Sequence, residues 1–209
     1  MLSLALAACG GQGNAIAVGA PAARVADAAN WRRVATSADR ARLREWRTAW
    51  VEALADARGT RDGAAAIAAD PALFDPDRAL DSPLPPPGEY RCRTLKLGRH
   101  GGSGLGYVAY DWFRCRVGAG MTPTFTKLDG SQRPSGTIYP DSEARGVMLG
   151  TLSLGDEGRG IAYGRDRSRD VAGLVERIGE RRWRVVFPYP AFESELDLVE
   201  LRPERDFRG

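Results

Sequence analysis

Two Arg-Cys-Arg triplets, centred on Cys92 and Cys115, contain the side chains of this chain that are best suited to binding an anion. Successive side chains of a β-strand point to opposite faces, so the arginines on either side of a strand cysteine share one face. A guanidinium offers a planar fork of N–H donors that matches a carboxylate or a phosphate. The sequence therefore predicts an anion-binding patch of four arginines: Arg91, Arg93, Arg114 and Arg116.

The two cysteines are predicted to form a structural disulfide across a β-hairpin. In a hairpin register in which paired residue numbers sum to 207, with the glycine-rich residues 101–104 in the connection, Cys92 lies directly opposite Cys115, at a separation that a cross-strand disulfide can span. Such a bond would stabilise the fold by roughly 3 kcal/mol in the chain-entropy model. The cysteines lack the Cys-x-x-Cys spacing of redox-active pairs, which favours the structural interpretation. In the same register the arginines of the patch lie directly opposite each other: Arg91 is opposite Arg116, and Arg93 is opposite Arg114.

Like charges in directly opposed positions repel each other, so the arginine patch requires compensating anions. One source is an external anion or an acidic partner. The other is the segment FESELDLVEL, because the first strand of a closed meander is a neighbour of the last. In this segment Glu193, Glu195 and Asp197 are at every second position, so in a strand their side chains would point to one face. Three further residues complete the candidate site: Arg133, Tyr110 and Trp112.

Other kinds of site have little support in the sequence. His100 is the single histidine, and no G-x-S-x-G motif accompanies it, so a serine hydrolase triad is not indicated. One histidine and a pair of bonded cysteines do not supply a zinc site, and no cofactor is expected. The 30 basic and 27 acidic residues give a net charge of +3 without a long basic run, which disfavours nucleic-acid binding.

The N-terminal region predicts a lipid anchor. Residues 6–9, Leu-Ala-Ala-Cys, resemble a bacterial lipobox, and acyl chains on Cys9 would hold the protein at a membrane surface. Residues 1–29 are accordingly predicted to be a truncated signal with its lipobox, followed by a flexible tether. With Cys9 modified, two cysteines remain for the disulfide, which suits an oxidising compartment. We expect a periplasm-facing lipoprotein, with a soluble periplasmic protein as the alternative.

The elements that position these residues follow from periodicity. Residues 30–80 are predicted to be helical, since Leu43, Trp46, Trp50 and Leu54 form one apolar face at steps of three or four. A proline-rich linker occupies residues 81–88, and short alternating strands fill residues 89–203 before a tail at 204–209. The expected fold is α+β, mainly β: an N-terminal helical segment and an antiparallel meander closed as a small lipocalin-like barrel. A β-sandwich is the alternative.

Several separate segments resemble domain-of-unknown-function family 4893 over about residues 31–203. They are NWRRVATSADRARLREWRTAWVEALADAR, PPPGEYRCRTLKLG, YVAYDWFRCRV, GSQRPSG, GTLSLGDE, GLVERIGERRWRVVFPYP and FESELDLVEL. The resemblance implies a small exported protein of Gram-negative bacteria, often lipoprotein-like, with an N-terminal helix, paired cysteines and a β-rich domain. It implies no activity and no catalytic residue.

We expect a non-catalytic module that binds an anion or another small molecule, either inside the barrel or at the arginine face. The alternative is a protein-interaction module, such as an envelope assembly partner or a protease-inhibitor-like barrel, and an enzyme is the least favoured class. A pocket of roughly a few hundred cubic ångströms would support ligand binding. A filled barrel with an exposed aromatic patch would support protein interaction.

Overall fold

The computed structural model describes residues 30–102, 104–158 and 160–207, so the predictions for residues 1–29, including lipidation of Cys9, lie outside the described residues. The described part of the chain begins with a helical segment. Its five helices are α1 (Trp31–Val34), α2 (Ser37–Arg44), α3 (Trp46–Arg58), α4 (Arg61–Ala69) and α5 (Pro71–Phe74). Among the described residues, none of the helices has the length and apolar character needed to cross a bilayer.

Local capping and one apolar face explain the longer helices. The hydroxyl of Thr36 accepts the Asp39 N–H at 3.1 Å and starts α2, and the hydroxyl of Thr60 starts α4 in the same way. Trp50 is fully buried, and its indole N–H donates to the Phe74 carbonyl at 3.2 Å. The predicted apolar face of the helical segment therefore packs into the core.

Within the described residues, nine strands follow the helical segment. They are β1 (Gly88–Leu97), β2 (Tyr107–Ala109), β3 (Phe113–Val117), β4 (Thr124–Lys127), β5 (Gln132–Pro140), β6 (Gly146–Leu154), β7 (Asp170–Gly179), β8 (Arg182–Pro188) and β9 (Leu196–Pro203). All paired neighbours are antiparallel, and β9 returns to pair with β1. β2 and β3 pair with successive parts of the same edge of β1, so together they occupy one position in the barrel wall. The wall therefore has eight strand positions. The predicted α+β fold with a closed antiparallel barrel is confirmed.

The molecule has one core inside the barrel and a second between the barrel and the helices. The barrel interior is filled by large side chains such as Phe125, Met148 and Leu201, all fully buried. The second core joins Trp50 of α3 to strand residues of the outer face such as Val186. Each strand of this part of the wall is therefore buried on both faces.

A fully buried ion pair fixes the helical segment to the outer face of the barrel. Arg184 of β8 lies 2.7 Å from the carboxylate of Glu176 on β7, and both side chains are 0% exposed. The guanidinium also donates to the carbonyls of Leu73 and Asp75, at 2.8 Å each. Its carbon lies 4.4 Å from the centroid of the Trp50 ring. One side chain thus contacts β7, α3, α5 and the residue that follows α5.

The Cys92–Cys115 disulfide is confirmed, with the Cα atoms 5.9 Å apart. The predicted register, however, is wrong by two residues. Cys92 lies opposite Phe113 and Cys115 opposite Tyr90, so the two cysteines are diagonal neighbours. A shift of two preserves the face of every side chain, because side chains alternate with a period of two. The disulfide therefore forms although the direct pairing is different.

The shift arises in the connection from β1 to β2. Direct opposition of Cys92 and Cys115 would place Leu97 opposite Tyr110, but Leu97 lies opposite Tyr107, and the Gly98 N–H donates to the Gly106 carbonyl at 2.9 Å. The connection is therefore three residues shorter than the predicted register requires. Between β2 and β3, three residues (110–112) stand opposite only two of β1 (93–94), which is the geometry of a β-bulge and reduces the shift from three residues to two. As a result Arg91 pairs with Arg114 instead of Arg116, and the predicted pairing of Arg93 with Arg114 is also wrong.

Candidate functional site

The four arginines of the predicted patch lie on the outer face of β1 and β3, and each has a carboxylate of the chain itself as a partner. The shortest N–O distances join Arg91 to Glu204 (3.2 Å), Arg93 to Glu200 (2.6 Å), Arg114 to Asp129 (3.1 Å) and Arg116 to Glu89 (2.6 Å). Compensating carboxylates are thus present, but they are not those of Glu193, Glu195 and Asp197. Binding of an external anion by this patch stays a prediction.

Trp112 packs against the part of the arginine patch that surrounds the buried Glu200. The guanidinium carbons of Arg93 and Arg202 lie 5.0 and 5.6 Å from the centroid of the Trp112 ring. Both guanidinium groups also donate to the carboxylate of Glu200, which is 0% exposed. The ring of Phe207 stands edge-on to Trp112 at 4.9 Å. Stacking and charge neutralisation therefore hold these side chains in place.

The other two predicted site residues lie apart from the four arginines. Arg133, on β5, donates to the carbonyls of Gly130, Gly155 and Glu157, and so connects two loops. Tyr110, in the bulge between β2 and β3, lines a cavity at one end of the barrel. This end is where the structure reveals a set of residues that the sequence did not single out.

The chain has only two lysines among its 30 basic residues, and both point into the barrel near the same end. Lys96 of β1 and Lys127 of β4 are each 4% exposed. We call this region, defined by Lys96 and Lys127 with the cavity between them, the lysine end. The signal available in the sequence was the scarcity of lysine, together with alternation. Lys96 is four residues from Cys92 on β1, and Lys127 is two residues from Phe125 on β4. Because strand side chains alternate between the two faces, each lysine points to the same face as that interior residue.

Lys96 is neutralised by two carboxylates. Its Nζ lies 3.1 Å from Asp197, whose side chain is 13% exposed, and 3.3 Å from the more exposed Glu193. Burial alone would lower the pKa of Lys96, but the attraction of Asp197 and Glu193 outweighs it and raises the pKa above its ordinary value. Lys96 therefore remains an ammonium ion.

Lys127 differs from Lys96 in having no counter-ion within ion-pair distance in the described part of the chain. Its Nζ donates to the Gln132 carbonyl at 2.9 Å and lies 3.7 Å from the centroid of the Phe113 ring. Burial lowers the pKa of Lys127 to about 8. The negative charge of Asp129 opposes this shift, whereas the positive charges of Arg133 and Lys96 add to it. At neutral pH this site holds a buried cation with unused hydrogen-bonding capacity.

Two adjoining cavities give access to these amines. The larger, of about 90 Å³, is half open to solvent. Its polar and aromatic lining comprises Thr94, Lys96, Tyr110, Phe113, Lys127, Ser131, Gln132 and Glu193. The smaller, of about 40 Å³, continues toward Leu152 and Phe187 and has Phe192 at its rim. These volumes are well below the few hundred cubic ångströms of a drug-sized pocket, so the space suits a group of a few heavy atoms.

The loop between β8 and β9 closes over the lysine end in a strained conformation. Tyr189 and Glu193 have positive φ values of 47° and 72°, which non-glycine residues rarely adopt. The strain places the Glu193 carboxylate across the mouth of the larger cavity, where it meets Lys96 and, at 3.4 Å, the side-chain amide of Gln132. Strained residues of this kind concentrate at functional sites.

Other site types do not emerge from residues 30–102, 104–158 and 160–207. These ranges contain no group of three or more His, Cys, Asp or Glu side chains that could hold a metal ion. The single histidine, His100, is exposed in a short 3₁₀ turn between β1 and β2. The lysine end is therefore the best candidate site in this part of the molecule.

The role of the arginine face can be tested with two matched substitutions. We expect Arg93→Gln to lower the free energy of unfolding by about 1–2 kcal/mol, since it removes one partner of the fully buried Glu200. Arg114→Gln, at a side chain 65% exposed, should change it by no more than about 0.5 kcal/mol. Urea unfolding of both variants measures the difference. Equal effects, or a gain in stability from Arg93→Gln, would contradict internal neutralisation.

The charge on Lys127 should make stability depend on pH in a defined window. Because its folded-state pKa of about 8 lies below the unfolded value, the unfolded chain binds more protons between about pH 8 and 10, and stability rises through that range. Lys127→Met removes the buried cation and should raise the free energy of unfolding at pH 7 by about 1–2 kcal/mol. This advantage should shrink as the pH rises toward about 10.

Urea unfolding of wild type, Lys127→Met and Arg114→Gln at several pH values provides the measurement and its control. Only the Lys127 variant should differ from wild type by an amount that changes with pH. A pH-independent difference, or a loss of stability at pH 7, would mean that Lys127 is not an uncompensated buried cation.

Comparison with known proteins gives a family but no described relative. No curated protein and no solved structure matches the chain. One family model, described as a domain of unknown function, matches residues 31–201, which include the helical segment, the disulfide and both lysines of the lysine end. The chain therefore belongs to the family Domain of unknown function (DUF4893).

Proposed function

We propose that this protein is a non-catalytic binding module that takes a small carboxylate at the lysine end of its barrel. The observation that carries the proposal is Lys127: a buried ammonium ion beside a half-open cavity, with no carboxylate partner among the described residues. A perturbed, desolvated ionisable group in a cleft is a recognised mark of a functional site.

Charge balance favours an anion as the ligand. An isolated buried charge is costly unless an opposite charge accompanies it, and Lys96 already has its partner in Asp197. A carboxylate that enters the larger cavity would give Lys127 the counter-ion it lacks. The contact between Glu193 and Lys96 supports this choice, because it puts a carboxylate at the mouth of the same cavity.

The remaining lining residues suit a short, partly apolar acid. Hydroxyl and amide groups of Thr94, Ser131 and Gln132 line the cavity and can orient a carboxylate. The Phe113 ring beside Lys127 and the side chain of Leu152 in the adjoining space offer contact to a short carbon chain. A volume of about 90 Å³ restricts the ligand to a few heavy atoms.

Thermal unfolding in the presence of acetate, propionate or butyrate, against chloride at equal ionic strength, tests the proposal. At a ligand concentration 100-fold above Kd, binding to the folded state alone stabilises it by about 2.7 kcal/mol. We expect a concentration-dependent rise in Tm for wild type and for Arg114→Gln, and no such rise for Lys127→Met. The rise should diminish as the pH increases above about 8, where Lys127 loses its proton.

Equal carboxylate effects in wild type and Lys127→Met would refute the proposed site. Stabilisation by a peptide with a free C-terminal carboxylate, without any by the short acids, would favour the protein-interaction alternative instead. That alternative draws support from the exposed Tyr110 and Phe192, which border the two cavities of the lysine end.

We also propose that the protein is a lipoprotein that faces an oxidising compartment, attached to a membrane through Cys9. Two observations support this location: the lipobox-like Leu-Ala-Ala-Cys of residues 6–9, and the Cys92–Cys115 bond, since stable disulfides are rare in reducing compartments. Intact-mass spectrometry of the protein extracted from its host's membranes should give a diacyl or triacyl mass on a chain that starts at Cys9. An unmodified Cys9 in a chain recovered with free thiols at Cys92 and Cys115 would exclude this location.

A further inference from the structure

We propose that Lys127 captures its ligand covalently, as a reversible imine with the carbonyl group of a short 2-oxo acid. The inference rests on the proposed carboxylate site and adds the chemical class of the ligand. It starts from the positions of two amines that share one small cavity but have opposite electrostatic surroundings.

The surroundings of Lys127 favour a neutral amine. Its side chain is almost fully buried, its Nζ lies against the Phe113 ring, and no carboxylate reaches it from the described residues. Desolvation destabilises the ammonium form, and lysines in such settings are the ones that act as nucleophiles toward carbonyl groups. A pKa of about 8 leaves about 10% of Lys127 unprotonated at pH 7, against well below 1% for an exposed lysine.

The surroundings of Lys96 favour the opposite state. Asp197, 3.1 Å from its Nζ, is itself held by a hydrogen bond from the Ser194 hydroxyl, so this ion pair is fixed. The second partner, Glu193, has a side chain 55% exposed and belongs to the strained loop, so it can leave without exposing a buried carboxylate. One site on the Lys96 ammonium thereby becomes available to a carboxylate from solution.

A 2-oxo acid matches this pair of amines. Its carboxylate can replace that of Glu193 at Lys96, and its carbonyl carbon is directly bonded to that carboxylate. The carbonyl is then presented within the cavity that Lys127 also lines. A simple carboxylate can form an ionic contact with the ammonium groups that line this cavity, Lys127 included, whereas a 2-oxo acid can bind Lys96 through its carboxylate and also react with Lys127 through its carbonyl.

The reaction is a condensation that needs no oxidant or reductant. The lone pair of the Lys127 Nζ forms a bond to the carbonyl carbon, and the carbonyl π electrons move to oxygen. A proton passes from nitrogen to that oxygen, which gives a carbinolamine. Loss of the oxygen as one molecule of water leaves the C=N bond. Glu193 lines this cavity in the structure, and its carboxylate could relay the proton between nitrogen and oxygen after it leaves Lys96.

The test traps the imine on the full-length protein. Wild type is incubated with glyoxylate or pyruvate and sodium cyanoborohydride, which reduces an imine to a stable secondary amine, and the modified residue is identified by peptide mass spectrometry. Because the chain has two lysines only, the assignment is unambiguous. Lys127→Met removes the reacting amine, and Arg114→Lys adds a lysine at an exposed position of the barrel wall as an internal reference.

We expect the adduct on Lys127, formed at pH 7 at least about tenfold faster than on the lysine of Arg114→Lys, because more of it is unprotonated. The rate at Lys127 should level off above about pH 8, whereas the reference lysine should continue to gain reactivity toward about pH 10. The Lys127→Met variant should give no adduct in the barrel.

The remaining outcomes separate this inference from the proposed function. Equal labelling of Lys96, Lys127 and the reference lysine would overturn the covalent capture. So would the absence of any adduct while short carboxylates still raise the Tm of wild type, which would leave the carboxylate site intact. An adduct on Lys127 without stabilisation by simple carboxylates would support the imine and refute carboxylate binding as the basis of recognition.

Discussion

The cost of removing a charge from water, several kcal/mol unless an opposite charge accompanies it, is the constraint on which this fold depends. Arg184 and Glu176 satisfy it on the outer wall of the barrel, where both are fully buried. The remaining donors of Arg184 bind carbonyls that include those of Leu73 and Asp75, which precede the strands. Glu176 also accepts from Arg145 at 2.6 Å, so the docked helical segment and Arg145 together cover this pair. The helices and the outer wall are therefore stable as one unit.

The same constraint explains why arginine dominates the outer strands. Glu200 is fully buried and accepts from three guanidinium groups, those of Arg93, Arg182 and Arg202. Arg182 also binds Asp70 at the end of α4, so the cluster again joins the helical segment to the wall. A guanidinium suits this task because its fork of donors serves several acceptors at once. The arginine face is thus a structural feature of the fold, whereas Lys127 is a buried cation without an ion-pair partner among the described residues.

Much of this arrangement could be predicted from alternation, but not the details that depend on closure of the barrel. Alternation places Cys92 and Cys115 on one face and their arginine neighbours on the other, and the structure agrees. The predicted register is wrong because the connection from β1 to β2 is shorter than direct opposition of the two cysteines requires, and the bulge at residues 110–112, which has no clear mark in the sequence, offsets only one residue of the difference. The lysine end was missed for a related reason. Residues 96 and 127 are distant in sequence and meet only when β1, β3 and β4 curve into one wall.

The filling of the barrel determines what the lysine end can accept. Toward the other end, the interior is packed by the disulfide and by large side chains such as Phe125 and Trp183. The space that remains lies between the two lysines and the strained loop that carries Glu193. Under the proposed function, a ligand would have to enter end-on, remain short, and bring its charged group to the amines first. In the described part of the chain the packed barrel thus retains a polar mouth at this end, with two buried amines of which one, Lys96, has a fixed counter-ion.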